Sequence, residues 1–206
     1  MCFSAGASFV ASAGLAVIGG ASFKVAKKEE RILAFIPIAF AIQQFFEGVQ
    51  WISLGNGCTS LASGYGFLFF AYIFWPIYVP VAIYAIDKRR RKILKWLVAL
   101  GVCIALFFLF LLLTEPLAIF SINQSIMYKF EVPFYYIAGI LYASVILLPL
   151  MVSSRHMLHT IALAVALAGL IATIFFFETF TSVWCFFCAI TSSLIYFYLK
   201  RKLPSI

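Results

Sequence analysis

The chain has few charged residues and few histidines, and this excludes several kinds of protein. Of its 206 residues, 11% are charged, 7 are acidic and 2 are histidine, whereas 65% are hydrophobic. A chain this apolar contains no stretch that could form a separate soluble catalytic domain. It contains no recognisable Ser-His-Asp set, no His-Glu-x-x-His motif and no glycine-rich phosphate loop. An enzyme is therefore the less favoured class.

Seven apolar stretches account for nearly all of the sequence. Each is about 20 residues long, enough to cross a bilayer core of roughly 30 Å as a helix. They predict an all-α integral membrane protein with a single domain over 1–206 and spans at 4–22, 32–54, 61–86, 93–114, 132–152, 157–177 and 180–199. No basic segment precedes the first stretch and no small-residue cleavage site follows it, so we expect a retained helix rather than a signal peptide.

The basic residues alternate with the spans. Of the 15 lysines and arginines, all but Lys129 lie beside the inner ends of the spans, in every second gap or at the C-terminus. By the positive-inside rule these segments are cytoplasmic and the N-terminus is outside. Topology and attraction to anionic lipid then explain the net charge of +8, and no nucleic-acid partner is expected. The expected location is a bacterial inner (plasma) membrane, with the lipid bilayer as a partner.

The familiar cofactor sites of multi-span proteins are missing. The seventh predicted span contains no lysine that could form a retinal Schiff base. The histidines, His156 and His159, lie at the cytoplasmic end of the sixth span, too peripheral for an intramembrane haem pair or a triple-histidine metal site. We therefore expect no cofactor.

Glu47 is the strongest candidate for a functional residue because it lies deep inside the second span. An ionisable group at such a depth is costly in hydrocarbon and normally marks a functional site. Gln43, Gln44, Gln50 and Trp51 lie within about one helical turn of it on the same side. Since this span runs from inside to outside, the sequence predicts an outward-facing polar cavity around Glu47. The plainer interpretation is a hydrogen-bonded glutamate that ties helices together.

The seventh span carries a second polar stripe, formed by Thr181, Cys185, Cys188 and Ser192 at helical spacing. We expect Glu47 to share its polar surroundings with at least one residue of this span. Acidic residues at the outer span ends would make the entrance attractive to cations. These residues are Glu115, Glu131 and Glu178, although for Glu115 and Glu131 the plainer interpretation, a solvated loop end, is favoured.

The cysteines allow three kinds of chemistry. Cys2 and Cys185, both expected near the oxidising outer surface, are candidates for a disulfide. A metal site formed by Cys2, Cys185, Cys188 and Glu47 is a weaker alternative, because the spacing is not a recognised zinc pattern. In the third, removal of Met1 would leave Cys2 as an N-terminal nucleophile, although no base is evident beside it.

Small residues recur at every fourth position of the first span, at Ser4, Ser8, Ser12, Ala16 and Gly20. Such a ridge allows another helix to approach closely. Packing inside the protein is favoured over a dimer face, and a homo-oligomer remains open.

Prolines and one long connection add two further expectations. Pro37, Pro76, Pro80 and Pro149 lie inside spans, where each bends its helix, either for packing or to line a cavity. The connection at 114–129 is predicted to lie on the outer surface as a lid or interfacial segment.

Three short motifs resemble a bacterial family of small multi-span membrane proteins of unknown function, whose members typically begin Met-Cys-(Phe/Trp)-Ser-Ala. The motifs lie at 1–5, 43–51 and 182–185. The resemblance implies a membrane fold of several helices and no known activity, and its matching positions are Cys2, Ser4, Glu47, Trp51, Trp184 and Cys185. Where the family often has a histidine before the glutamine of the second span, this chain has Gln43, which argues against a metal site or proton relay there.

A weak echo between Phe45-Phe46-Glu47 and Phe176-Phe177-Glu178 suggests a 3+1+3 parallel repeat, an arrangement found in transporters.

The favoured hypothesis is a transporter or channel-like protein for a small solute or ion. Its expected ligand-binding residues are Glu47, Gln43, Gln44, Gln50, Trp51, Ser4, Trp184 and Ser192. One alternative is a membrane enzyme or a redox or metal-binding protein that uses Cys2 and Cys185. The other is a sensing or assembly subunit without turnover.

Overall fold

The computed structural model of the protein describes residues 4–201. Its seven long helical segments are apolar enough to cross a membrane, which confirms the predicted all-α membrane fold. Their bounds are Ala5–Val25, Lys28–Gly55, Leu61–Ile86, Arg91–Thr114, Tyr135–Val152, His156–Phe175 and Phe177–Lys200. These bounds agree with the predicted spans to within a few residues.

Several spans consist of more than one helical element. The α-helices are α1 (Ala5–Val25), α2 (Arg31–Gly55), α3 (Leu61–Leu68), α4 (Trp75–Ile86), α5 (Arg91–Thr114), α6 (Tyr135–Val152), α7 (His156–Phe175), α8 (Phe180–Ser192) and α9 (Leu194–Lys200). A π-helical segment, Phe69–Phe74, joins α3 to α4. Short 3-10 helices, Lys28–Glu30 and Phe177–Thr179, precede α2 and α8. A hairpin of strands β1 (Ala118–Ile122) and β2 (Ser125–Lys129) joins α5 to α6.

The described chain divides into two compact units. The first contains 4–67, 119–128 and 167–201, and the second contains Leu68–Ala118 and Lys129–Ala166. In the first unit, α1 and α2 pack along each other and both contact α8 and α9. In the second unit, α4, α5 and α6 pack on one another.

Helices α1 and α2 approach closely because small residues lie between them. The hydroxyl of Ser12 donates a hydrogen bond of 2.8 Å to the carbonyl oxygen of Ala41. On α2, Gly48 faces the ring of Phe9, and a β-carbon there would fall 2.8 Å from a ring carbon. Small residues on both helices thus bring the backbones together, as is typical of membrane helices.

The predicted small-residue ridge on α1 only partly faces this interface. Ser8 is buried, but Ala16 and Gly20 are exposed. Positions four apart advance by slightly more than one turn and therefore drift by about 40° at each step. Farther along α1 the contact is made by Gly19, where a β-carbon would meet the side chain of Ile38 at 2.3 Å.

The π-helical segment ends two residues before Pro76 in the second unit. The backbone N–H of Trp75 donates to the carbonyl of Phe70, five residues earlier, so the turn is wider than in an α-helix. The carbonyl of Ala71 instead accepts a hydrogen bond from the hydroxyl of Tyr142 on α6. The carbonyl five residues before the proline is thereby paired inside the protein, as hydrocarbon surroundings require.

A buried aspartate ends α4 in the second unit. Asp87 is 2% exposed. One of its carboxylate oxygens accepts from the hydroxyl of Ser153, at 3.0 Å, and from the backbone N–H of Ser154, at 2.6 Å. The other oxygen accepts from the backbone N–H groups of Arg89 and Arg90, at 3.1 and 3.3 Å. Asp87 thus fastens the end of α4 to the connection after α6.

The surroundings of Asp87 change its acidity. Burial alone would raise the pKa of the carboxyl, but the hydrogen bonds from Ser154, Ser153 and Arg90 outweigh it and hold the pKa below its ordinary value. Sequence analysis missed this residue. Two features of the sequence could have identified it. Asp87 is the only aspartate in the sequence, and it lies at a span end immediately before the basic run at 88–92.

Candidate functional site

Glu47 and its polar neighbours on α2 face the interior of the first unit. Gln43, Gln44, Glu47 and Gln50 are each at most 1% exposed. Apolar side chains on the other side of α2, such as Phe45, are exposed instead. This inside-out distribution is the one expected of a helix with lipid on one side and a polar interior on the other.

Two neutral groups bind the carboxylate of Glu47. The hydroxyl of Ser182, on α8, donates a hydrogen bond to Oε1. The side-chain amide of Gln44 donates one to Oε2 at 3.0 Å. No lysine, arginine or histidine of the described chain is among its partners. The structure thus joins Glu47 to the seventh span, the contact expected from the sequence, through Ser182 rather than through the predicted stripe residues.

A second polar contact lies one helical turn farther along α2. The hydroxyl of Ser63, on α3, donates a hydrogen bond of 2.6 Å to Oε1 of Gln50. Both side chains are buried. Three helices, α2, α3 and α8, therefore contribute polar groups to one part of the first unit. We call Gln43, Gln44, Glu47, Gln50, Ser63 and Ser182 the polar cluster.

Tyr128, on strand β2, brings the hairpin to this cluster. Its ring stacks on Phe67 with ring centroids 4.8 Å apart and planes 6° apart. Its hydroxyl is buried and lies within electrostatic reach of Glu47 and Cys185. Burial, reinforced by the nearby Glu47 carboxylate, raises the pKa of Tyr128 well above its usual range, so the hydroxyl keeps its proton and can donate.

The hairpin is anchored to the first unit at several points. The hydroxyl of Ser125 donates a hydrogen bond of 2.8 Å to the hydroxyl of Thr179. Ile119 and Ile126 are buried, and Ile119 packs against Gly64, where a β-carbon would fall 2.3 Å from it. The predicted surface segment at 114–129 is therefore an ordered hairpin whose inner face is enclosed by protein.

Sequence analysis missed both the hairpin and Tyr128. The turn residues Asn123 and Gln124 have positive φ angles of 48° and 58°, the geometry of tight hairpin turns. An asparagine at a turn between two short runs of β-branched and aromatic residues was the available signal. It was weak because Gln124 stands where glycine is usual.

Several buried polar atoms of this region have no hydrogen-bond partner within the described protein. They are Oε1 of Gln44, Nε2 of Gln50, Nε1 of Trp51 and the hydroxyl of Tyr128. Buried polar atoms are normally paired with protein or water, so each unpaired one calls for an explanation. Three of the four belong to residues within about one helical turn of Glu47 on α2, and together the four atoms offer both donors and acceptors, which is suitable for holding a small polar ligand or ion.

The described thiols do not form a bond among themselves. Within 4–201, Cys58, Cys103, Cys185 and Cys188 are free. Cys185 is buried, with the Gln43 side chain in hydrogen-bonding reach.

The structure tests only part of the predictions about the cysteines. The structure contains no disulfide at Cys185, and Cys2, its predicted partner, lies outside the described residues. The metal hypothesis and the nucleophile hypothesis also involve Cys2, so that part of each lies outside the described residues. Among the described residues, no group of three or more His, Cys, Asp or Glu side chains could hold a metal ion.

The remaining predicted ligand residues make other contacts. Ser4 caps α1 by accepting a hydrogen bond of 3.2 Å from the backbone N–H of Ala7. Ser192 donates a hydrogen bond of 2.6 Å to the carbonyl of Ala189 in its own helix. Trp184 is buried and packs against Gly169 of α7. The partners in these contacts are not members of the polar cluster.

No curated protein and no solved structure matches the chain. The family of unknown function DUF6629 matches it over residues 1–206, and the protein belongs to that family.

Proposed function

We propose that the protein is a membrane transporter or channel-like protein for a small solute or ion, and that the polar cluster around Glu47 is its binding site. The supporting observation is Glu47 itself, which is 1% exposed and hydrogen-bonded only to neutral groups among the described residues. A charged side chain at membrane depth costs about 2.5–3.5 kcal/mol even on the mild insertion scale. A site that served packing alone would avoid this cost with an apolar residue of similar volume.

The proposed route to the site starts at the outer surface. On the predicted orientation, α2 ends outside at Gly55, and the hairpin between α5 and α6 is also outside. Tyr128 would then lie between the exterior and Glu47, where it could contact a passing ligand. We also propose a bacterial inner membrane as the location, on the basis of the basic residues at the predicted cytoplasmic ends.

Flux through purified protein in liposomes tests the proposal. Charge displacement on a solid-supported membrane, after jumps of NaCl, KCl or CaCl₂, reports ions. Stopped-flow light scattering after jumps of urea, glycerol or glycine reports neutral solutes. We expect one class of solute to cross wild-type liposomes faster than empty ones, and Glu47→Gln to abolish the difference.

The matched control is Glu29→Gln, which makes the same change at an exposed acid of the first unit, at the predicted cytoplasmic end of the second span. This variant should retain the wild-type flux. Flux that Glu47→Gln leaves intact would refute the site, and absence of any flux over this panel would refute transport in favour of a sensing or assembly role.

A thiol-based redox function is the second candidate. Its support is the position of Cys185, which is buried beside Gln43 and within electrostatic reach of Tyr128, with Cys188 three residues farther along α8. Replacement of Cys185 by serine separates the two functions. Transport predicts that Cys185→Ser still moves the solute. A redox role predicts that the variant loses its thiol-dependent redox activity.

A further inference from the structure

We infer that the ligand of the polar cluster is a monovalent cation. The inference rests on the proposed function, because it names the class of solute that the Glu47 site would take. It depends on three features of the first unit: the charge of the cluster, the kind of atoms that surround Glu47, and the number of acidic groups.

The charge of the cluster disfavours an anion. Glu47 is its ionisable carboxylate, and its partners Ser182 and Gln44 are uncharged. An anion entering the site would meet a like charge at low dielectric, with no basic side chain of the described chain hydrogen-bonded there to offset it. A cation would instead supply the opposite charge that a buried carboxylate requires.

The atoms around Glu47 suit a hard cation. Each carboxylate oxygen accepts one hydrogen bond and keeps a second lone pair. The Oε1 atom of Gln44, in the same amide that donates to Glu47, is buried without a partner. The Tyr128 hydroxyl, also unpaired, lies within electrostatic reach of the carboxylate. Neutral and carboxylate oxygens are the ligands that hard cations prefer.

The number of acidic groups favours a single positive charge. Sites for Ca²⁺ usually combine several carboxylates, and zinc sites use cysteine or histidine. No group of three or more such side chains occurs in the described part of the chain. One carboxylate neutralises one monovalent ion, and neutral oxygens of amides and hydroxyls can complete its coordination.

Thermal unfolding of the purified protein in detergent tests the inference, since a ligand that binds the native state raises the melting temperature. Choline chloride is replaced stepwise by LiCl, NaCl, KCl or RbCl at constant ionic strength. We expect at least one of these alkali cations to raise the melting temperature in a saturable way. Glu47→Gln should abolish the rise, and Glu29→Gln, which changes an exposed acid away from the predicted entrance, should preserve it.

Two further variants keep the test decisive if Glu47→Gln does not fold. Glu47→Asp keeps the charge but shortens the side chain, and Ser182→Ala removes one donor to the carboxylate. Each should weaken the apparent cation affinity by roughly tenfold or more. No saturable rise with any alkali cation, or an unchanged affinity in both variants, would overturn the inference.

The outcomes separate the inference from the proposed function. If an alkali cation binds at Glu47 but no flux occurs in liposomes, the inference stands and transport fails. If a neutral solute crosses in a Glu47-dependent way and no cation stabilises the protein, the proposal of transport stands and the inference of a cation ligand is wrong. Stabilisation by MgCl₂ or CaCl₂ alone would also overturn the choice of a monovalent ion.

Discussion

Ser182 donates its hydroxyl hydrogen to the carboxylate of Glu47, a residue 135 positions earlier in the chain. Both side chains are 1% exposed. This contact ties α8 to the middle of α2 and fixes one oxygen of the carboxylate. It joins two members of the polar cluster, which we propose binds a ligand.

Ser182→Ala should lower the melting temperature, and the loss should depend on Glu47. A hydrogen bond to a charged group contributes about 1.5–3 kcal/mol in soluble proteins, although hydrogen bonds between membrane helices average about 0.6 kcal/mol. A double-mutant cycle with Glu47→Gln measures the coupling between the two side chains. Ser144→Ala is the control, because that partly exposed serine bonds only to a carbonyl of its own helix. A coupling near zero would show that the hydrogen bond contributes nothing.

Gly101→Ala should disrupt the contact between α4 and α5. A β-carbon at Gly101 would fall 2.1 Å from the carbonyl oxygen of Pro76, and backbone cannot move aside as a side chain can. We expect a loss of about 1–3 kcal/mol, the usual cost of overpacking. Gly139→Ala is the matched control, since a β-carbon there meets nothing within 4 Å. Equal melting temperatures for the two variants would contradict the close packing at Gly101.

Asp87→Asn should make the protein less stable at neutral pH, and the difference from wild type should vanish in acid. The folded pKa of Asp87 lies below its ordinary value of 3.8, so the carboxyl binds a proton more readily in the unfolded chain. Its stabilisation is therefore complete above that ordinary value and is lost as the pH falls through the folded pKa. Melting temperatures of both proteins, measured from pH 7 down to the most acidic pH at which the wild type still folds, test this. A gap that stays constant over the whole range would contradict the assigned hydrogen bonds.

The orientation predicts opposite labelling from the two sides of the membrane. In a cysteine-free background, a cysteine replacing Asn56 should react with an impermeant maleimide from outside. One replacing Arg90 should react only after the membrane is opened. Both positions are exposed, so access is limited by the membrane alone. Labelling of both from the same side would contradict the crossing between them, and the reversed pattern would refute an outside N-terminus.

Much of the membrane fold could be predicted from the sequence because its signals are local. Apolar stretches long enough to span a bilayer located all seven helical segments. The burial of Glu47 was likewise predictable, since a carboxylate inside an apolar span has few low-energy alternatives to an interior position.

The contacts that complete the cluster could not be predicted, because they join residues far apart in sequence. Ser182 and Ser63 look like ordinary serines until α8 and α3 pack beside α2. Tyr128 reaches the cluster only because the hairpin folds into the first unit, and its strands are too short for a strong pattern. The small-residue ridge on α1 was predicted to be one continuous packing surface, but only part of it faces α2. The reason is geometric, because a four-residue period drifts around a helix of 3.6 residues per turn.

The most direct test of the central claim is whether a bound ligand protects Glu47 from chemical modification. Dicyclohexylcarbodiimide enters membranes and reacts with protonated carboxyl groups, and mass spectrometry of the digested protein shows which acids are modified. A cation bound at Glu47 would displace its proton and block the reaction. We predict that Glu47 is modified in choline chloride and protected by the alkali cation that raises the melting temperature, while modification of the exposed Glu29 is unchanged. Modification of Glu47 to the same extent in every salt would contradict the claim that its carboxylate binds the ligand.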